Sequence, residues 1–474
     1  MRTQRHILFA LLLVMAISLP ISADIKLPAI ISDNMVLQQQ TQVAVWGWTK
    51  PKSSVSVTTS WNGKSQSAQS DANGFWKVKL QTPAAGFTPY TITIASAGRS
   101  RTLKNVLIGE VWLCSGQSNM EMPMKGYLMQ PIENGPDDIL NSSNAAIRCF
   151  TVTRASKSMP QEDCAGAWEI AGPQTTPNFT ATGYYFARLI NKVVNVPVGF
   201  INTSWGGTGI PTWMPPAALK DIPEKPVEFP ADETNTPSWR PTALYNGMIH
   251  PLVNYCIRGA IWYQGEANRG EPELYAKMFE RMVREWRNAW NIGDFPFYYC
   301  QIAPYKYGGG GNSGFLREAQ AKLMTTTPNT GMAVLTDAES PDCIHPPKKK
   351  DAGERMALWA LAKTYGIDIH YRSPEVKSVE TNGQLMIIEF ELFGSNSGLT
   401  TNGKQILGFQ IAGDDKRFTQ ATATLRNNKV YIFAPTVSKP VAARYIFDDA
   451  SPSEIFTVEG NLPVSSFRTD TWKD

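Results

Sequence analysis

The sequence predicts a central α/β domain with a mostly parallel sheet, placed between two β-domains. Residues 24–105 contain alternating or β-branched runs, such as QVAVWGW and YTITIAS, separated by turn signals, which is typical of a small antiparallel sandwich. From 106 to 370, short apolar runs alternate with helical stretches, and this alternation indicates a parallel sheet covered by helices. Over 371–474, runs such as LMIIEFEL and KVYIFAP predict the second β-domain.

The first 23 residues form a separate segment. A basic start, MRTQRH, precedes the apolar run ILFALLLVMAISLPIS and the small residues before Asp24. This order is typical of a secretory signal peptide cleaved after Ala23. A membrane anchor is the alternative, but the apolar core is short for a span. The sequence therefore predicts a secreted or periplasmic protein with no later segment that crosses a membrane.

Composition and charge narrow the class of protein. The 474 residues are 42% hydrophobic and 18% charged, as in a soluble globular protein. There are 45 basic residues against 41 acidic ones, and signal cleavage would remove only Arg2 and Arg5 from this balance. A nearly neutral mature chain argues against a nucleic-acid partner. The KKK run at 348–350 is too short to change this, and we expect it to be a solvated helix start or loop.

The cysteines and histidines argue against a metal site. The chain has six cysteines and no CxxC pair, so a structural zinc site is not expected. Three histidines remain in the mature chain, and they are too scattered for metal-assisted hydrolysis. Because export permits disulfides, we expect Cys149 and Cys164 to be the most favourable local pair.

Four polar clusters follow predicted strands: SGQSN (115–119), TSWGGTG (203–209), YQGEAN (263–268) and DAESPDCIH (337–345). In an open α/β sheet, ligands bind at the carboxyl ends of the strands. Together the four clusters predict a site at one edge of the sheet. The Pro-rich segment 209–242 is expected to be a long excursion over the surface.

A serine nucleophile in these clusters would need a base, and the histidines limit the choice. His250 lies in a mixed apolar segment and is expected to be structural, while His370 lies beside the entry to the last domain. His345 follows Asp342 by three residues in a Pro-flanked loop. Asp342-x-x-His345 could supply both the base and the carboxylate that orients it.

Cysteine nucleophiles are less favoured than serine. Cys114 lies in the apolar run VWLC, where a cysteine is usually a small buried hydrophobe. Cys343 is two residues from His345, but neighbours in a loop need not face each other. GQSNM also lacks the second glycine of the G-x-S-x-G elbow, so an α/β-hydrolase is a poor match.

Four motifs in this order resemble the SGNH hydrolase superfamily: GQSNM (116–120), SWGGT (204–208), WYQGE (262–266) and DCIHP (342–346). Within it they resemble the sialate O-acetylesterase family of carbohydrate esterases. ISDNMVLQ, GEVWLCSGQSNMEMP, PTALYNGMIHPL, GERMALWAL and SFRTDTW extend the resemblance over most of the mature chain. It implies a flavodoxin-like catalytic domain between β-sandwich-like domains, and removal of acetyl groups from sugars without a cofactor.

The resemblance also implies catalytic roles. Ser118 of GQSN would be the nucleophile, and His345 of DxxH the base. The superfamily pattern points to Asp342 as the carboxylate that supports the imidazole. Related acetyl esterases with a QGE motif use the glutamate, here Glu266, so both remain candidates, with Asp342 ranked first.

Donors for the oxyanion follow from the same motifs, and each is worth roughly 3 kcal/mol. The main-chain N–H of Ser118 is one candidate, and that of Gly206 or Gly207 is another. The third donor of the superfamily is normally an asparagine in a GxN block, where this sequence has QGEAN. That departure leaves Gln264 or Asn268, and Gln264 is slightly preferred.

The predicted function is hydrolysis of O-acetylated sialic acid through an acetyl-enzyme. Acetylxylan or another acetylated polysaccharide is the close alternative, and Arg240 or Arg269 could bind a sialate carboxylate. A glycosidase using Glu266 and Asp342 is a second alternative. A non-catalytic sugar-binding protein is a third, suggested by the two β-domains and the many aromatic residues.

Overall fold

The strand order of one large sheet determines where the site can lie. The computed structural model describes residues 24–227, 236–309, 311–338 and 340–472 of the chain. The predicted signal peptide, 1–23, and part of the 209–242 excursion lie outside these residues. The chain is a mixed α/β protein with one large sheet and smaller antiparallel sheets. In the described ranges, none of the helices has both the length and the apolar character needed to span a bilayer.

The elements are numbered in chain order. The strands are β1 (Val36–Gln38), β2 (Gln42–Trp48), β3 (Ser54–Thr59), β4 (Ser65–Gln69), β5 (Phe75–Gln81), β6 (Gly86–Ser96), β7 (Arg99–Gly116), β8 (Asn144–Val152), β9 (Gly166–Ala171), β10 (Val198–Ser204), β11 (Gly259–Tyr263), β12 (Phe297–Cys300), β13 (Thr330–Ala333), β14 (Glu375–Asn382), β15 (Leu385–Glu391), β16 (Leu399–Thr400), β17 (Phe409–Ala412), β18 (Thr419–Gln420), β19 (Thr422–Arg426), β20 (Lys429–Phe433), β21 (Ala442–Tyr445), β22 (Phe456–Thr457) and β23 (Phe467–Arg468). The helices are α1 (Ser118–Glu121), α2 (Gly135–Leu140), α3 (Ala181–Val194), α4 (Pro216–Leu219), α5 (Pro272–Trp290), α6 (Ser313–Thr326) and α7 (Lys349–Trp359).

The central part of the large sheet has the order β13-β12-β11-β7-β10-β8-β9. All neighbours in it are parallel except β8 and β9. Without the β8–β9 hairpin at its edge, the order is 2-1-3-4-5, that of a doubly wound sheet. From β7 the chain forms β8, β9 and β10 on one side of this strand, and it then crosses to the other side to form β11, β12 and β13. The topological switch point, where such sheets bind ligands, is therefore at the carboxyl end of β7.

Strand β7 joins the N-terminal and central sheets. Its first part pairs antiparallel with β6, and its last part lies between β10 and β11. From Val106 to Gly116 every residue is buried, which explains the apolar run VLIGEVWLC, since a central parallel strand is covered on both faces. The strand runs unbroken past residue 105, where the sequence suggested a domain boundary.

Helices cover both faces of the central sheet, as predicted. On one face α3 and α7 bury residues such as Tyr185 and Met356, and on the other α5 and α6 bury residues such as Phe279, Trp286 and Leu316. The apolar residues of α5 recur at helical spacing, so one stripe of this amphipathic helix faces the core. The predicted alternation of strands and helices is confirmed.

The expected disulfide between Cys149 and Cys164 is wrong, because both cysteines are free. Cys149 is buried in β8 and belongs to the apolar cluster on the α3 side of the sheet. Cys164 is half-buried and packs against the cluster on the opposite face. The sheet separates the two thiols, which the short spacing in sequence could not indicate.

The C-terminal region forms two four-stranded antiparallel sheets, β14-β15-β20-β19 and β18-β17-β21-β23. They enclose an apolar cluster of their own, which includes Ile388, Ile432, Phe409 and Tyr445. The predicted β character of this region is confirmed.

Candidate active site

The polar site begins where β7 ends, in a turn that only glycine fits. Gly116 has φ +141°, and a Cβ built on it would lie 2.2 Å from the carbonyl oxygen of Tyr263. The turn therefore brings the chain against the end of β11, and α1 starts two residues later at Ser118. This is the structural reason for glycine in the GQSN motif.

Gln117 fastens this turn to the loop after β11. Its N–H donates to the carbonyl of Tyr263 at 3.0 Å, and its Oε1 accepts from Gln264 Nε2 at 3.1 Å and from the N–H of Ala267 at 3.2 Å. Gln264 Nε2 also donates to Asn268 Oδ1 at 2.7 Å. Nε2 of Gln264, a candidate oxyanion donor, is therefore buried and bonded to acceptors of neighbouring loops.

Asn268, like Gln264, is hydrogen-bonded to neighbouring loops. Its Oδ1 also accepts from the N–H of Ile210 at 2.9 Å, and its Nδ2 donates to Glu271 at 2.6 Å. The side chain thus joins the loop after β10 to the loop after β11. Both candidate amides are therefore engaged in holding these loops.

Ser118 is half-buried at the first position of α1. Its hydroxyl makes no hydrogen bond with any other described residue. The side chain faces Gly206, because a Cβ built on that glycine would lie 3.2 Å from Ser118 Cβ. The loops after β7 and β10 therefore meet at this serine.

The two glycines of SWGGT differ in what their N–H groups do. The N–H of Gly206 donates to Oε2 of Glu121 at 2.9 Å. Gly207 is exposed with φ +73°, and a Cβ on it would meet open space. In the described residues, the N–H groups of Gly207 and of Ser118 donate to no protein acceptor, as expected for Ser118 at a helix start.

His345 and Ser118 share Tyr127 as a common neighbour. The ring of His345 packs edge-on against Tyr127, with centroids 5.2 Å apart, and the Tyr127 hydroxyl donates to the Ser118 carbonyl at 3.4 Å. The Nδ1–H of His345 donates to Oε1 of Gln130 at 2.6 Å, which leaves Nε2 to accept a proton. Burial, and then the charge of Lys349, lower the pKa of His345 to about 4.

The other residues of the DxxH loop point elsewhere. Asp342 is exposed and forms a 2.7 Å ion pair with Lys306, so it is not the acceptor for the imidazole Nδ1–H. The Cys343 thiol donates to the main-chain oxygen of His345 and not to its ring. Of the remaining histidines, His250 contacts the Gln161 carbonyl at 2.8 Å through its Nδ1.

A buried polar cluster of Asn119, Glu266 and Lys349 supports the His345 loop. Asn119 donates Nδ2 to Glu266 at 2.5 Å and to the Ile344 carbonyl at 3.0 Å. Lys349 donates Nζ to Asn119 Oδ1 at 2.8 Å and to the Pro346 carbonyl at 2.7 Å. The two carbonyls that flank His345 are therefore both held, one by the neighbour of Ser118 and one by Lys349.

Burial changes the pKa values of both charged groups in this cluster. Lys349 is 1% exposed, and burial lowers its pKa, which the charge of Glu266 opposes. Burial raises the pKa of Glu266, which its hydrogen bonds and Lys349 oppose. Among the described residues Glu266 Oε2 has no hydrogen-bond partner.

The prediction that the KKK run at 348–350 is solvated is wrong for its middle residue, Lys349, which is buried.

A family model described as carbohydrate esterase, sialic acid-specific acetylesterase, matches residues 108–360, which is more than half of the chain. The protein belongs to this family. It is therefore a carboxylic ester hydrolase, as the motifs predicted.

Relatives and a solved structure agree with the family assignment. Human sialate O-acetylesterase is 31% identical over 382 residues, which cover 71% of this chain and 70% of the human protein. The mouse protein of the same name is 29% identical over 442 residues, or 79% of this chain and 81% of its own. The crystal structure of a carbohydrate acetylesterase from Xanthomonas citri is 36% identical with a TM-score of 0.85, covering 95% of this chain and all of the other.

Two residues of the candidate site, Gln130 and Glu121, were not predicted from the sequence. Gln130 has no motif around it, and its contact with His345 spans 215 positions. Glu121 lies inside GQSNMEMP, and a charge between methionines was the one available signal. Its carboxylate pairs with Arg154, whose guanidinium lies 5.5 Å from the ring centre of Trp205.

Proposed function

We propose that this carbohydrate esterase removes acetyl groups from O-acetylated sugars through an acetyl-enzyme, with Ser118 as nucleophile and His345 as base. The observation that carries the proposal is the placement of Ser118. It is half-buried at the switch point of the sheet, and its hydroxyl bonds to none of the residues that the structure describes. It also shares Tyr127 as a neighbour with an imidazole whose Nδ1 is already occupied. The strand order supports the flavodoxin-like SGNH assignment.

In the first half of the reaction, the Ser118 hydroxyl attacks the acetyl carbonyl while His345 Nε2 accepts its proton. The negative charge on the carbonyl oxygen is stabilised by the main-chain N–H groups of Ser118 and Gly207. The C–O bond to the sugar then breaks, and the imidazolium returns the proton to the sugar oxygen. Acetate remains esterified to the serine.

In the second half, water gives a proton to His345 and attacks the acetyl carbon. Collapse of this intermediate breaks the bond to Ser118, which recovers the proton, and acetate leaves. Gly206 is less suited to the oxyanion than Gly207, because its N–H is already bound to Glu121. Gln264 and Asn268 act in this proposal by fixing the loops.

For the carboxylate, the contacts favour Glu266 over Asp342. Asp342 is exposed and paired with a surface lysine. Glu266 is buried and reaches the His345 loop through Asn119, which bonds both the glutamate and the Ile344 carbonyl. Its role here is to hold that loop and to balance the charge of Lys349.

For the substrate, O-acetylated sialic acid remains the first choice, and an acetylated polysaccharide the alternative. The mammalian relatives are named sialate O-acetylesterases, whereas the Xanthomonas protein is named more broadly, as a carbohydrate acetylesterase. Arg269 is 11% exposed and engaged with Asp449 and with the ring of Tyr307. Arg154 is paired with Glu121 but is 52% exposed, so it is the more accessible of the two for a sialate carboxylate. Kinetics on acetylated sialic acid against acetylated xylan decide between them.

The central test is acetate release by Ser118→Ala, with Ser115→Ala as the matched control. Ser115 is buried three residues earlier and its hydroxyl has no partner in the described residues. We expect Ser118→Ala to lose at least about a thousandfold in kcat, and Ser115→Ala to remain close to the wild type. Glycosidic cleavage that survives in Ser118→Ala would support the glycosidase alternative. A wild type that binds sugars but releases no acetate would support the binding protein.

We also propose that the chain is exported and that its first 23 residues are removed as a signal peptide. N-terminal sequencing of protein recovered outside the cytoplasm should begin at Asp24, whereas a chain that retains residues 1–23 in the membrane would support the anchor.

A further inference from the structure

A cavity of about 430 Å³ lies beside the candidate active site. It opens between the turn after β11 and residues from the beginning, middle and end of the 209–242 excursion. The residues that matter here are Gly209, Lys225, Trp239, Arg240, Asn268 and Glu271. The described residues of the excursion therefore line a concave surface next to the proposed chemistry.

The inner wall of this cavity is tied to the catalytic loops by a chain of polar contacts. Lys225 pairs with Glu271 at 2.9 Å, and Glu271 accepts from Asn268 at 2.6 Å. Asn268 in turn accepts from Gln264, which bonds the residue before Ser118. The wall is thus part of the same polar network that positions the nucleophile.

The cavity is also close to Ser118. Gly206 faces the Ser118 side chain, and Gly209 lines the cavity. Three residues of chain span at most about 11 Å. A ligand that extends outward from Ser118 along this loop would reach the cavity.

The outer wall carries an indole that the fold does not bury. Trp239 is 69% exposed, although tryptophan is usually highly buried. Pro226 and Pro241 line the same cavity, and their fixed φ angles restrict the local backbone. An exposed indole beside charged and amide groups suits a sugar ring, which has an apolar C–H face and hydroxyl groups around its edge.

We propose that this cavity is a subsite for the glycan chain to which the acetylated sugar is attached, with Trp239 stacking on one of its rings. The inference rests on the proposed deacetylation at Ser118 and adds that the natural substrate is an oligosaccharide and not a free monosaccharide. The acetylated ring occupies the space at Ser118, and the neighbouring rings extend over Gly209 to Trp239.

The test compares matched substrates that differ only in the attached chain. One pair is O-acetylated sialic acid, free or carried on a sialyl oligosaccharide, and the other is O-acetylated xylose or its xylo-oligosaccharide. For each pair we measure the ratio of kcat/KM, oligosaccharide over monosaccharide, in the wild type, Trp239→Ala and Trp239→Phe. Phe87→Ala is the control, because Phe87 is 51% exposed and lines a different cavity in the N-terminal sheet.

We expect the wild type to prefer the oligosaccharide in one pair, and that pair identifies the glycan. Trp239→Ala should lower this ratio by up to about tenfold, mainly through KM, while kcat/KM on the monosaccharide stays unchanged. Trp239→Phe should recover most of the ratio, and Phe87→Ala should leave it unaltered.

A wild-type ratio near one in both pairs, or an equal ratio in Trp239→Ala and the wild type, would overturn the subsite. Loss of the monosaccharide reaction together with the oligosaccharide reaction in Trp239→Ala would overturn it as well. A wild type that releases no acetate even from a simple acetyl ester would instead refute the proposed function.

Discussion

The substitution Lys349→Met tests whether a buried charge sets the proton affinity of the proposed base. Lys349 is 1% exposed and lies four residues after His345, with its Nζ bonded to Asn119 and to the Pro346 carbonyl. Methionine keeps a long apolar side chain but removes the charge and both hydrogen bonds. The change therefore acts on the pKa of His345 and on the position of its loop.

The magnitude follows from the causes of the low pKa. Burial is the larger cause and the charge of Lys349 the smaller, and together they lower the pKa of His345 from 6.5 to about 4. A base works when it is neutral, so kcat/KM of the wild type should fall only near that low value. Without Lys349 the acid limb should move upward but stay below 6.5, because burial remains. Each unit of movement corresponds to about 1.4 kcal/mol.

The loss of two hydrogen bonds should also lower the plateau of the profile. A buried acceptor left without its donor costs about 1–3 kcal/mol, and part of this should appear as a displaced imidazole. We expect the plateau of kcat/KM to fall by about tenfold.

The assay is the pH profile of kcat/KM on a simple acetyl ester, which avoids changes in sugar recognition. Lys350→Met is the matched control, since Lys350 is the next residue of α7 and is exposed. Its profile should match that of the wild type. An acid limb that stays in place in Lys349→Met, or that moves equally in Lys350→Met, would refute the electrostatic reasoning.

Three further changes test the rest of the site. Gln130→Ala removes the acceptor for His345 Nδ1–H and should lower kcat/KM about tenfold, whereas Gln130→Glu places a carboxylate there and should move the acid limb upward; unchanged profiles would exclude the contact. Gly116→Ala should destabilise the fold by at least about 2 kcal/mol in denaturant titrations, against about 1 kcal/mol for Gly63→Ala, which has positive φ but open space; equal losses would argue against the clash. Asp342→Asn should keep kcat/KM within about twofold, because its ion pair is exposed, and a large loss would restore this aspartate as the catalytic carboxylate.

The sequence could predict what depends on local pattern. Strand and helix alternation appears in apolar periodicity, and the burial of Cys114 followed from its place in an apolar run. The motifs put Ser118 and His345 each after a strand of one parallel sheet, and β7 and β13 do belong to one sheet. In each case the feature is determined by residues a few positions away in the sequence, or by the fact that parallel strands end at one edge of the sheet.

The direction in which a side chain points, and how deeply it is buried, could not be predicted in the same way. The spacing Asp342-x-x-His345 does not determine where the aspartate points, and in the fold it meets a lysine at the surface. Lys349 lies in a run of three lysines, and its burial depends on Asn119 and Glu266, which approach from distant loops, as well as on the nearby Pro346 carbonyl. Gln130 reaches His345 from a loop with no pattern of its own. These contacts depend on tertiary packing.

The polar residues of the motifs explain why the family pattern is longer than a serine and a histidine. A parallel sheet brings the ends of β7, β10 and β11 to one edge, but it does not fix the loops beyond them. Buried amides join those loops: Gln117 binds the loop after β11, and Asn119 binds both Glu266 and the loop of His345. An amide offers a donor and an acceptor at one position without adding a charge, so Asn119 can bridge a buried glutamate and a buried lysine. Loss of either charge would leave the other uncompensated in a buried site, so the position of the His345 loop depends on that of the turn at Ser118.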